Sequence, residues 1–123
     1  MSDFNWVQAR AACSLPKVFK LLEIGVRRDV DVANAIAKEG GEPTTFSVKV
    51  QGNYCVVMRE HVEGFESVEF LLEQDRVSVK EKNETKFFGT PSLNADGECR
   101  LFVGNAELEL WQFCKRALES LFF

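Results

Sequence analysis

The chain has 123 residues, 46% of them hydrophobic and 28% charged, which suits one globular domain with a core of its own and excludes a disordered or fibrous chain. Nineteen acids against fifteen bases give a net charge of -4, so a diffuse electrostatic grip on nucleic acid is not expected. No stretch is long and apolar enough to span a membrane, and the amino-terminal residues do not read as an export signal, so the expected setting is cytoplasmic.

Asn5 reads as the cap of a first short helix over Asn5 to Ala12, with Gln8 reaching back in a loose capping box and Trp6 and Val7 as its anchors. Ser14 then caps a longer helix from Leu15 to Lys38, with Pro16 in its first turn and Gly40-Gly41 ending it. On this helix Leu15, Val18, Phe19, Leu22, Val26, Val30, Ala33, Ile36 and Ala37 share one arc, the face expected to meet the core. Asp29 projects into that arc. A carboxylate there must be paired, hydrogen-bonded or protonated; alternatively the helix breaks after Gly25 and Asp29 caps a second segment.

From Thr44 the period changes to two: Phe46, Val48 and Val50 alternate with Thr45, Ser47 and Lys49. Gly52-Asn53 is a two-residue hairpin signal that sets Val50 opposite Cys55, Val48 opposite Val57 and Phe46 opposite Arg59. Arg59 therefore points to the core side and is the partner expected for Asp29, or its companion in a ligand contact. Further strands are expected over Ser67 to Glu73, Arg76 to Glu81, near Thr85 to Gly89, and over Glu98 to Val103. Pro91 marks an edge or loop, and the short connections allow only antiparallel neighbours.

Asn105 reads as the cap of a closing helix whose apolar residues, among them Leu110, Trp111, Phe113, Cys114, Leu118 and Phe122, spread over about half the wheel. That is wider than one sheet can cover. The excess implies packing on the first helices or a protein partner, and at least Phe122 is expected to be covered. On the outer face of the sheet, Tyr54, Val56, Met58, Leu71 and Phe102 share the parity opposite to the core and suggest a second apolar surface, covered by the opening helix or by a partner.

Chemistry-bearing motifs are sparse. His61 is the only histidine, and on a straight strand it lies about 20 Å from Cys55, too far for direct proton transfer. The four cysteines, Cys13, Cys55, Cys99 and Cys114, show no paired spacing and read as buried thiols in a reducing compartment. No phosphate loop, nucleophile elbow or metal motif is present, and no cofactor is implied.

The expected architecture is a single α+β domain over residues 1–123, with two N-terminal helices, an antiparallel meander sheet of five to six strands and a C-terminal helix packed on it. The expected function is a non-enzymatic protein-interaction module of adaptor, chaperone-like or immunity-like kind, pairing with itself as a homodimer or with another protein. Trp111, Leu118, Phe122 and Met58 are the candidate partner-binding residues. The alternative is a small apolar-ligand binding domain with a pocket between sheet and helices and with Asp29 and Arg59 as its polar groups. Neither nucleic acid nor membrane is an expected partner.

Overall fold

The computed structural model describes residues 3–123. Two helices, α1 (Trp6–Ala12) and α2 (Leu15–Glu39), precede seven strands: β1 (Thr45–Gln51), β2 (Tyr54–His61), β3 (Gly64–Glu73), β4 (Arg76–Glu81), β5 (Glu84–Leu93), β6 (Cys99–Val103) and β7 (Ala106–Leu108). Helix α3 (Leu110–Phe122) follows. The strands form one antiparallel meander in the order β1 to β7, and α2 and α3 pack on one face of it. The architecture is α+β, with seven strands where five to six were expected.

The register places the apolar residues of one parity in rows. Val50, Cys55, Phe70, Val79 and Phe87 run across five strands, and Val48, Val57 and Val68 form the row beside them. These side chains meet Val18, Phe19, Leu22, Val26 and Val30 of α2 and Phe113, Ala117, Leu118 and Leu121 of α3. The Gly52-Asn53 hairpin has the register read from the sequence, with Phe46 opposite Arg59.

The seventh strand follows the turn at Gly104-Asn105, where the sequence suggests the start of a helix. Gly104, at a φ of 60°, and Asn105 form a two-residue hairpin between Val103 and Ala106, a backbone geometry that glycine adopts without strain. The closing helix is thus not capped by Asn105. It starts at Leu110, where the side chain of Glu109 and that of Gln112 form a reciprocal capping box. Strand β5 runs through Pro91 instead of stopping at Gly89. It pairs with β4 up to Gly89 and with β6 from Thr90, so Pro91 has a strand neighbour on one side only and its missing N–H breaks no ladder there.

Helix α2 is continuous through Gly25, which rules out the alternative of a break and a second cap at Asp29. Its last turns are tied to the sheet by Asn34, whose amide donates to the carbonyl of Phe46 at 2.8 Å and accepts from the N–H of Phe46 at 2.7 Å. These bonds serve an edge strand whose outer side has no neighbour. Replacing Asn34→Ala would leave the Phe46 amide and carbonyl without these partners, and we predict a loss of about 1 to 3 kcal/mol, read as a lower urea midpoint at unchanged slope.

Helix α1 differs from expectation in how it is held. Asn5 does cap it, accepting from the N–H of Gln8 at 3.0 Å, but Trp6 and Val7 are exposed and none of its residues is buried. The anchor is covalent: Cys13, which follows α1, is joined to Cys99 in β6 by a disulfide. The expectation of four free thiols is corrected for this pair. Eighty-six positions separate them, so no local spacing could announce the bond. Because α1 lies against β5 and β6, it does not screen Tyr54, Val56 and Met58 on the outer face.

Candidate functional site

Helices α2 and α3 lie side by side on the sheet, and what they leave exposed between them is the most distinctive surface of the chain. Residues of α3 alternate between two environments. Phe113, Cys114, Ala117, Leu118 and Leu121 are buried, while Trp111, two positions before Phe113, is 61% exposed. Trp111 is not loose: its indole N–H donates to Glu109 at 3.2 Å, and Glu109 in turn lies 4.0 Å from Arg100, which also holds Glu98 at 3.1 Å. The hydrogen bond tethers the N–H end of the indole while most of the side chain stays exposed.

On α2 the core stripe is as expected except at Ile36, which is 51% exposed. It belongs to a second apolar face, with Leu21, Ile24 and Val32, all large and all exposed. Leu21, Ile24 and Val32 lie outside the core arc on a helical wheel and flank the side of it that carries Ile36. Gly25, Arg28 and Asp29 share this second face.

Two hollows flank Trp111. One, of about 330 Å³, runs between the helices and is lined by Asp29, Val32, Ile36, Trp111, Leu118 and Phe122 among others. The other, of about 300 Å³, is lined by Leu21, Ile24, Gly25, Arg28, Asp29 and Trp111 among others. Asp29 thus sits at the junction of both. Partial burial pushes its carboxyl above the usual carboxylate range, and the charge of neighbouring Arg28 opposes that shift.

Asp29 and Arg59 do not pair. Asp29 is exposed on the outer side of α2, whereas Arg59 lies on β2 in a separate recess under the last turns of α2 and α3. The core arc of the wheel misplaced Asp29 because α3 covers only part of that arc, leaving its edge to solvent.

Of the four residues expected to bind a partner, the structure brings three together at the helix pair. Trp111 stands on the surface; Phe122 is half-buried, with its ring edge-on to Phe46 at 5.1 Å. Leu118 is 2% exposed and forms the floor of the groove, so it supports the surface without presenting one. Met58 is on the opposite face of the sheet, between Ser47 and Ser67, and does not join them. The outer face has its own half-buried row, Tyr54, Leu71 and buried Ser78, the last donating its hydroxyl to Glu73 at 2.7 Å.

His61 lies at the end of β2, 3.4 Å from Glu66. Cys99 is in the disulfide and offers no free thiol. The two free thiols are buried, and burial raises Cys55 to about 11 and Cys114 to about 12, so both stay protonated and unreactive at neutral pH. Among the described residues no group of three or more His, Cys, Asp or Glu is placed to hold a metal ion, and no helix is long and apolar enough to cross a membrane. No family model, curated protein or solved structure matches the chain.

Proposed function

We propose that the protein is a non-enzymatic interaction module that pairs with a second copy of itself through the exposed face of α2 and Trp111. The supporting observation is the self-complementary order of residues along that face. In an antiparallel pair of α2 helices whose two-fold axis passes between Arg28 and Asp29, each position meets the one equally far beyond the axis. Arg28 then meets Asp29 of the partner subunit, Gly25 meets Val32 of the partner subunit, and Leu21 meets Ile36 of the partner subunit. Opposite charges, small against large, and apolar against apolar are what an isologous contact requires.

Gly25 supports the same arrangement. A glycine inside a helix costs about 1 kcal/mol relative to alanine, and within the subunit nothing lies within 4 Å of where its side chain would be. No packing inside the chain calls for it. At the centre of a helix pair it lets two backbones approach closely.

Light scattering on the purified protein should give twice the monomer mass. Arg28→Asp alone would set two acids against each other and weaken association by roughly tenfold or more, and Asp29→Arg would do the same with two bases. The double exchange should restore the dimer. A wild type that stays monomeric at high concentration would remove the proposal, and a double exchange no better than either single change would remove this geometry.

The disulfide bears on where the module works. A cytoplasmic setting, as the sequence suggests, would keep Cys13 and Cys99 as thiols, whereas the closed bond favours an oxidising compartment. Counting free thiols in protein taken from its native source, four or two, separates these readings.

A further inference from the structure

Arg59 occupies an unusual position. Strand β2 directs it to the helix side of the sheet, opposite Phe46 on the edge strand β1. There it lines a recess of about 200 Å³ with Ala33, Ile36, Ala37, Glu42, Phe46 and the Phe122-Phe123 pair. Its Nε is buried without a hydrogen-bond partner, and it is the only side-chain nitrogen or oxygen so placed among the described residues. A buried N–H of a cation left unpaired is costly, and natural folds leave few such groups.

The recess borders the groove between the helices. Ala33, Ile36, Phe122 and Phe123 line both, so a run of apolar side chains leads from the guanidinium towards Trp111. One cation at one end and an apolar path at the other define an amphiphile with a single anionic head. Two features favour a carboxylate over a phosphate dianion. The guanidinium fork matches a carboxylate's two oxygens, and the recess offers this one cation with Glu42 on its wall, which would repel a second negative charge.

We infer that Arg59 is the anchor of a binding site for a small amphiphilic carboxylate, of the chemical class of medium-chain fatty acids, whose tail lies in the groove over Ile36 and Phe122. The head site goes beyond the self-pairing proposed above, because Arg59 is on the sheet and outside the paired helix face, while the tail end shares Ile36 and the groove beside Trp111 with that face.

Dodecanoate below its micelle concentration is the probe, measured by isothermal titration calorimetry on the full chain, with dodecanol as the uncharged control. Wild type should bind dodecanoate saturably at one site per chain and dodecanol at least roughly tenfold more weakly. Arg59→Gln should lower dodecanoate affinity to that of dodecanol while leaving dodecanol binding unchanged. Should that variant fail to fold by circular dichroism, Arg59→Lys serves instead, since it keeps the cation but removes the two-pronged fork and should weaken dodecanoate binding alone. No saturable dodecanoate binding, equal affinity for acid and alcohol, or a folded variant that binds as wild type does would each overturn the assignment. Loss of dodecanoate binding in Arg59→Gln with dimerisation intact, or loss of dimerisation in Arg28→Asp with dodecanoate binding intact, keeps this site and the self-pairing separately testable.

Discussion

Opening the Cys13–Cys99 bond is expected to be the most damaging single covalent change to this fold. The bond closes a loop across a sequence separation of 86, and removing a cross-link of that span returns about 4 to 5 kcal/mol of chain entropy to the unfolded state. For a domain of this size that corresponds to a fall in melting temperature of about 15 °C or more. The double variant Cys13→Ser, Cys99→Ser and wild type in reductant should give matching midpoints, both well below that of oxidised wild type. Cys55 and Cys114 do not complicate the comparison, because both are buried and remain thiols in either state. A second consequence is local: α1 buries none of its residues, so its amides should exchange fast once the bond is gone, while those of β2 and β3 stay protected until global unfolding. Equal midpoints with and without reductant would show that the bond contributes nothing to stability.

Much of this architecture is legible in the sequence because it rests on local rules. The period-two run at Phe46, Val48 and Val50, the Gly52-Asn53 turn and the helix from Leu15 each carry their own signal, and the register they imply is the register found. What escapes is set by neighbours far along the chain. Whether Asp29 is buried depends on how much of its side of α2 is covered by α3, and Cys13 finds Cys99 only after the sheet has formed. Strand β7 escapes for another reason: three residues are too few to show a period, and acids at Glu107 and Glu109 serve a helix start as well as a strand end. The site shows the same division. Trp111 could be named from the width of the apolar face, but the second stripe of Leu21, Ile24 and Val32 becomes evident only when α3 is seen to leave it open, and the isolation of Arg59 only when Asp29 is seen elsewhere.

Trp111 and Phe113 offer a sharper test, because two aromatic residues two positions apart on one helix are expected to fail in opposite ways. Phe113 is fully buried, with its ring 5.3 Å from that of Phe87 and 6.3 Å from that of Phe70. A side chain at Gly89 would meet this ring at 2.6 Å, so the sheet itself makes room for it. Phe113→Ala should therefore destabilise the chain by about 3 to 5 kcal/mol, through lost burial and the cavity left behind, and the loss should appear whether or not the protein associates. Trp111→Ala removes an exposed ring whose only described hydrogen bond is to Glu109. In the monomer it should shift stability by no more than about 0.5 kcal/mol. Its effect should lie in association, where a central aromatic typically contributes about 2 kcal/mol or more, a weakening of roughly thirtyfold. Chemical denaturation of each variant across a hundredfold range of protein concentration distinguishes the two. Phe113→Ala should lower the midpoint at every concentration, whereas Trp111→Ala should abolish the concentration dependence that a dimer imposes and leave the dilute limit in place. A Trp111→Ala protein that unfolds as Phe113→Ala does, at all concentrations, would assign the indole to the stability of the subunit and withdraw it from the interface.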